Sequence, residues 1–314
     1  MTTVLEQPRT SVSSTPASRL RLTTAAVRLT FTWFGIRKTL TAEQKNQAAE
    51  SFGAEGHFLS AGKKLLDTKH PSFRMLTGVR HRIVSYWKDS TLPYPDPGVR
   101  LIRQRDIDAF NSRMNQLRDE LAEAVWRLDE HYAELMSAAR DRLGRLYNSS
   151  DYPASLRGLF HVAWDFPNVE PPDYLRQLSP DVYRQECHRV EARFDEAIQL
   201  AEQAFMEELH QLVSHLTDRL TGQVDGTPKI FRDSAVENLT EFFQRFRRLN
   251  VRSNDELDEL VAQCSQIVRG TDPQSLRDSQ GLRQTVAAEL SQVQASLDGL
   301  LVSRPRRNIL RRPR

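Results

Sequence analysis

The chain has 314 residues, of which 39% are hydrophobic and 27% are charged, a balance typical of long helices with a narrow buried stripe. No apolar run approaches the roughly 18 residues that a membrane-spanning helix needs, and the N-terminus lacks the pattern of a secretory signal. We therefore expect no membrane partner and a cytoplasmic protein. The formal net charge of +3 is uneven, because both ends of the chain are basic and the body between them is acidic.

The first segment, residues 1–24, is rich in Ser, Thr and Pro and poor in aromatic side chains, which predicts a disordered basic tail. Residues 27–34 follow a period of two, which predicts a strand with one buried face. The positions on that face are Val27, Leu29, Phe31 and Trp33. A short helix is predicted next, capped by Thr41 and ended by Gly53.

The stretch "STLPYPDPGVRLI", residues 90–102, interrupts a chain that is otherwise rich in helix formers. A helical segment from Lys63 to Trp87, broken near Pro71, is predicted before it. Proline fixes φ and removes a hydrogen-bond donor, and Gly98 can adopt a φ that other residues avoid. The stretch is therefore interpreted as a structural corner that ends the helix and directs "VRLI" into a strand.

Two long helices of nearly equal length are predicted, one from about residue 106 to 147 and one from Ser179 to about Thr221. The first carries a heptad stripe that shifts towards a 3.6-residue period after Leu128. The stripe of the second comprises Tyr183, Cys187, Val190, Phe194, Ala197, Ala201, Phe205, Leu209, Leu212, Leu216 and Leu220. Between the helices, residues 159–166 alternate as another strand.

These elements predict a mainly α fold: a long, coiled-coil-like antiparallel helical hairpin with a small β cap and a C-terminal helical segment. The predicted division is a tail (1–24), the capped hairpin domain (25–225), a C-terminal helical region (226–302) and an arginine-rich disordered tail (303–314). In the C-terminal region, Ser253 and Glu256 form a predicted capping box, and Gly270 is a predicted C-cap.

The residues that could carry chemistry are few. Phosphate-binding loops, nucleophile elbows and common zinc motifs do not occur. Glu207 and His210 have the Glu-x-x-His spacing of di-iron bundles, but the other long helix offers only His131 and Glu134 in reverse order. We therefore expect no catalytic residue, no metal and no cofactor, and so a protein that is not an enzyme. Two cysteines, Cys187 and Cys264, are expected to be buried thiols, with a disulfide as the alternative.

Nucleic-acid binding has two candidate locations in the sequence. In "EFFQRFRRLNVR" aromatic and basic residues interleave, but Phe243 and Phe246 fall on a helical stripe, so core packing is favoured over base stacking. The C-terminal tail is the better candidate, because its arginines can replace the counterions of phosphates. These arginines are Arg304, Arg306, Arg307, Arg311, Arg312 and Arg314. A solubilising tail is the alternative interpretation.

The order "LTFTWFGIRK", "STLPYPDPGVRLI", "FNSRMNQLRDEL", "ARDRLGRLYNSSDYP" and "FRDSAVENLTEFFQRFRRLNV" resembles a family of uncharacterised phage, prophage and plasmid proteins with a domain of unknown function. The resemblance covers about residues 27–268. Some members are encoded near MoxR-type AAA+ ATPases and von Willebrand factor A proteins, which implies work inside a larger assembly. The signature residues it suggests are Trp33, Pro93, Gly98, Arg100, Tyr152, Pro153 and Asn238, all interpreted as structural.

The sequence therefore predicts a non-enzymatic scaffold or adaptor of phage or mobile-element origin in the cytoplasm of a bacterial host. It would engage a protein partner, an AAA+ or von Willebrand factor A system, or a second copy of itself through its helical surfaces. The alternative is an accessory protein that binds nucleic acid, in particular single-stranded DNA, through the arginine-rich tail.

Overall fold

A computed structural model describes residues 15–221, 223–224, 227–228, 233–269 and 273–303. The chain is mainly helical with a small antiparallel sheet, as the sequence predicts. Among the described residues, no helix is both long enough and apolar enough to cross a lipid bilayer.

The helices are α1 (Pro16–Thr23), α2 (Ala42–Glu50), α3 (Pro71–Asp89), α4 (Ile107–Glu130), α5 (Tyr132–Leu143), α6 (Tyr174–Leu178), α7 (Pro180–Thr221), α8 (Ser234–Leu249), α9 (Asp255–Val268), α10 (Pro273–Asp278) and α11 (Gln280–Ser303). The strands are β1 (Thr24–Trp33), β2 (Arg37–Thr39), β3 (Gly62–Lys64), β4 (Leu92–Pro93), β5 (Val99–Arg103), β6 (Phe160–Asp165), β7 (Gln223–Val224) and β8 (Thr227–Pro228).

The chain forms two compact units made of interleaved segments. Of the described residues, unit one contains those up to Ala26, Ser90–Gln104 and those from Asn168 onward, and unit two contains Val27–Asp89 and Arg105–Pro167. In unit one, α7 packs against α1, α8, α9 and α11. In unit two, α4 packs against α3 and β6. Each unit buries its own apolar stripes, which is the main source of helix stability in a folded protein.

Strands β4, β5, β1 and β6 form one sheet in that order, and the division between the units falls within β1. β1 and β6 pair antiparallel, from Arg28 opposite Asp165 to Trp33 opposite Phe160. The alternation predicted for β1 is confirmed, since the polar positions Arg28, Thr30 and Thr32 are exposed. All three strands predicted for the cap are present.

The proline-rich stretch 90–102 is a corner, as predicted. Helix α3 ends at Asp89, and β4 and β5 then pair as a hairpin with Pro93 opposite Arg100. Gly98 has a φ of +76°, which L-residues with a side chain rarely adopt. The Arg100 guanidinium donates to the hydroxyl and the carbonyl oxygen of Thr91 at 2.7 and 2.8 Å, and so ties the two sides of this hairpin together.

The predicted hairpin of the two long helices is not confirmed. Helix α4 belongs to unit two and α7 to unit one, and each packs against other helices of its own unit. The physical reason is that an apolar stripe requires an apolar partner but does not specify which one. The domain division at 225 stays a prediction, although unit one runs across that position because α7 packs against helices that follow it.

Several predicted boundaries are corrected. The helix from 106 ends at Glu130 and a second begins at Tyr132, at the place where the apolar period changes. The segment from Lys63 is not helical before Pro71, because Gly62–Lys64 forms β3. Asn254, and not Ser253, caps α9, since its side chain accepts from the Leu257 N–H at 3.0 Å. Gly270 lies outside the described residues.

The N-terminal segment is also corrected in part. Residues 1–14 lie outside the described residues, but Pro16–Thr23 forms α1 where disorder was predicted. Proline at the first helical position needs no hydrogen-bond donor, Thr15 caps the helix, and Leu20 is buried where α1 packs on α7. That burial compensates for the polar composition of the segment.

Candidate functional site

The N-terminal end of α7 carries apolar side chains that the fold leaves uncovered. Tyr174 and Leu178 on α6 and Val182 on α7 are exposed, Leu178 by 76%. Tyr183 and Cys187, two residues of the predicted stripe of α7, are only half-buried. We call these five residues the α7 N-terminal surface. Isolated exposed apolar residues are ordinary, whereas the three exposed ones here lie within nine positions of the chain, at the junction of α6 and α7.

The exposure of this end contrasts with the rest of α7. None of residues 180–189 is buried, and the first buried residue of the helix is Val190. From there the stripe continues in the core of unit one to Leu220. About three turns, or roughly 15 Å at about 1.5 Å per residue, therefore precede the first buried residue of α7.

Charged residues of both signs border these turns. Arg184 forms an ion pair with Asp181, and Arg189 forms one with Glu186, each three residues apart on the helix. The pKa of the Tyr183 hydroxyl is raised, first by its hydrogen bond with the Cys187 side chain. Because positive and negative charges are balanced along these turns, two such surfaces would not repel each other as two like-charged surfaces do.

A second exposed apolar group lies in unit two, between α2 and β3. Phe52 and Phe58 are 85% and 81% exposed. Beside them, residues 46–57 line a shallow depression in which His57 Nδ1 lies 3.3 Å from the Glu55 carboxylate. Both of these ionisable side chains are exposed, so neither lies in the low-dielectric environment that is typical of an active site.

Glu207 and His210, the Glu-x-x-His pair on α7, contact different partners. His210 Nε2 lies 2.9 Å from Asp298 Oδ1 on α11, whereas Glu207 accepts from the Gln203 amide at 2.8 Å. In unit two, however, His70 joins His131 and Glu134, and their ligand atoms lie within 4.8 Å of one another. The sequence indicates the last two as a pair but cannot indicate His70, which is sixty-one positions away from His131.

The aromatic residues of α8 form core. Phe242, Phe243 and Phe246 are all buried, and Phe205 of α7 meets the ring of Phe246 edge-on at 5.0 Å. A buried ring has no face available for a nucleotide base, so this segment is not a stacking platform. Arg304 and the other predicted arginines of the tail lie outside the described residues.

The seven residues that the resemblance suggests as a signature occupy mostly structural positions. Trp33 meets the ring of Phe160 edge-on at 4.9 Å and lies beneath the Arg80 guanidinium. The Tyr152 hydroxyl donates to the Leu65 carbonyl oxygen at 3.0 Å. Pro153 follows it half-buried, and Asn238 is exposed on α8. With Pro93, Gly98 and Arg100 in the corner, six of the seven lie in the sheet, the corner or a packed loop.

The two cysteines differ in their surroundings. Both are free thiols, Cys187 half-buried and Cys264 buried. Burial raises the pKa of Cys264 to about 12, so it stays a thiol at neutral pH and is inert. The alternative of a disulfide between them is therefore not realised, and Cys187 is the accessible thiol.

A scan against protein-family models finds no match for the chain, and comparisons with curated proteins and with solved structures find none either.

Proposed function

We propose that the protein is a non-enzymatic scaffold or adaptor that self-associates through the α7 N-terminal surface. The observation that supports this most directly is the absence of any buried residue in the first three turns of a 42-residue helix that contributes to the core from Val190 onward. Covering Tyr174, Leu178 and Val182 would remove apolar surface from water at about 25 cal/mol per Å².

A second copy of the chain is the occupant that the charges favour. In a twofold interface the same surface appears on both sides, so each charge must meet its opposite on the other copy. The order acidic, basic, acidic, basic at Asp181, Arg184, Glu186 and Arg189 allows this in an antiparallel arrangement of two α7 ends. The surface is small, so the expected association is weak, with a Kd of about 1–100 µM.

The wider role follows from the resemblance and is part of the same proposal. A self-associating helical protein of phage or mobile-element origin would act as a scaffold in the host cytoplasm. It would engage a larger assembly there, of which an AAA+ ATPase with a von Willebrand factor A partner is one candidate.

Analytical ultracentrifugation of the full chain tests the proposal. We expect the average mass to rise from the monomer value of 36.1 kDa towards twice that value between about 5 and about 200 µM. The double variant Leu178→Asp/Val182→Asp should stay a monomer over this range, because two buried carboxylates at the interface would each lose hydration. Both positions are exposed, so the fold should be unaffected.

The matched control is Phe52→Asp/Phe58→Asp, which removes two exposed apolar side chains of unit two and should associate as the wild type does. A wild-type chain that remains a monomer at the highest concentration would refute the proposal. Equal association of the wild type and the Leu178/Val182 variant would place the interface elsewhere and would also refute it.

A further inference from the structure

Two histidines and one carboxylate converge in unit two from two segments that are distant in sequence. His70 immediately precedes α3, and its carbonyl oxygen accepts from the Arg74 N–H at 3.0 Å. His131 occupies the break between α4 and α5, and Glu134 lies in the first turn of α5. The two imidazole rings have centroids 5.2 Å apart, and one ligand atom from each of the three residues lies within 4.8 Å of the others.

The distances suit a divalent cation of the zinc type. With bonds of about 2.1 Å, two ligands of a tetrahedral zinc ion lie about 3.4 Å apart. His131 Nδ1 and Glu134 Oε2 are 3.4 Å apart, so this pair already has the required separation. To reach the same separation from the other two ligands, His70 would move by about 1 Å. Its ring is held by one long hydrogen bond, which Nδ1 accepts from the Ser72 N–H at 3.3 Å. Such a bond is weak, so giving it up costs little.

The helix break accounts for the geometry. At His131 the backbone departs from the α-helical hydrogen-bond pattern. The His131 N–H donates to the carbonyl oxygen of Leu128, three residues earlier, at 3.2 Å. Helices α3 and α4 pack against each other, so the residue before the start of α3 lies close to this break. The three side chains remain accessible, His131 and Glu134 being exposed and His70 half-buried.

We propose that His70, His131 and Glu134 bind one divalent transition-metal ion, with Zn²⁺ as the expected species. Imidazole nitrogen and carboxylate oxygen are the donors that zinc, cobalt and nickel accept. Three protein ligands leave at least one coordination position for water or for a side chain of another protein. The ion would clamp the start of α3 to the junction of α4 and α5. This inference is independent of the proposed self-association.

A second His-x-x-Glu pair in the chain serves as an internal control for this site. On α7, His188 Nδ1 and Glu191 Oε2 lie 3.5 Å apart with the same His-x-x-Glu spacing. Within the described part of the chain, no third histidine, cysteine or carboxylate joins that pair. Two ligands bind a cation much more weakly than three, so this pair should not contribute a tight site.

Isothermal titration of Zn²⁺ into the full, untagged chain tests the inference. We expect one tight site with a Kd of about 10 µM or lower. His70→Gln, His131→Gln and Glu134→Gln should each weaken it by about tenfold or more, whereas His188→Gln should bind as the wild type does. Titration with Co²⁺ should give a visible ligand-field absorption that His70→Gln abolishes.

Circular dichroism of the metal-free variants establishes that each is folded. If His70→Gln fails to fold, the exposed positions His131 and Glu134 decide the question alone. A wild-type chain without a site tighter than about 100 µM would overturn the inference. Binding to folded His131→Gln and Glu134→Gln with wild-type affinity would overturn it as well.

Discussion

Replacing Phe242 with alanine should lower the free energy of unfolding of unit one by about 3–5 kcal/mol, the usual cost of removing a buried phenylalanine. Phe242 is 1% exposed and lies where α8 meets α7. Its ring stacks on Phe246 at 6.0 Å and meets Phe205 and Phe243 edge-on. Truncation would therefore remove both the buried area and three aromatic contacts, and the cavity would be lined by rings that cannot easily collapse into it.

Urea denaturation followed by far-ultraviolet circular dichroism measures this effect, because the helices of both units contribute to the signal. Phe52→Ala is the matched control: Phe52 is 85% exposed, so its loss should change stability by less than about 0.5 kcal/mol. All four tryptophans lie in unit two. Tryptophan fluorescence should therefore change little in Phe242→Ala if the two units unfold separately. A loss below about 1 kcal/mol in circular dichroism would contradict the placement of Phe242 in the core.

Replacing Asp151 with asparagine should destabilise unit two by about 3 kcal/mol, because removing one member of a buried ion pair leaves the other charge unpaired. The Asp151 and Lys63 side chains are only 2% and 6% exposed and lie 2.5 Å apart. Lys63 also donates to the Leu146 carbonyl oxygen at 2.7 Å. Lys38 reaches the other carboxylate oxygen from the solvent side.

The same site predicts a dependence on pH. Hydrogen bonds from Lys38 and then Lys63 lower the pKa of Asp151, so the folded protein binds that proton less readily than the unfolded chain does. The stabilisation is fully present above the unfolded pKa of about 3.9 and is lost as the pH falls through the lower folded value. Asp151→Asn should lack this part of the acid dependence.

Tryptophan fluorescence during urea unfolding reports on unit two and suits this variant. The control is Asp165→Asn, which breaks the ion pair with Arg28, a pair whose two side chains are half exposed. Surface pairs contribute about 0–1 kcal/mol, so Asp165→Asn should be nearly neutral. Equal effects of the two substitutions would show that Asp151 is not held as described.

Local features of this fold could be predicted from the sequence wherever one residue type decides the structure. The alternation of β1, the start of α7 at Pro180 and the corner around Gly98 all depend on near neighbours in the chain. The partner of α7 could not be predicted, because the stripes of α4, α8 and α11 are chemically alike. The burial of Leu20 stabilises α1 as a helix, and it depends on contacts with α7, a segment far away in sequence.

Each candidate site likewise combines features that the sequence predicts with features that only the structure shows. The stripe through Tyr183 and Cys187 is visible in the sequence, but only the structure shows that its first turns contain no buried residue. The pair His131 and Glu134 is visible as a spacing, whereas His70 joins it only through the packing of α3 on α4. In α8 the sequence places Phe243 and Phe246 on the buried stripe and omits Phe242, since the buried face is wider than a single stripe.

The reactivity of Cys187 tests the central claim, that a second copy covers the α7 N-terminal surface. Cys264 is buried with a raised pKa, so a thiol reagent at about pH 8 labels Cys187 alone. We predict that labelling becomes severalfold slower between dilute and concentrated protein in the wild type, and that its rate is independent of concentration in Leu178→Asp/Val182→Asp. A wild-type rate that does not change with protein concentration would contradict the claim.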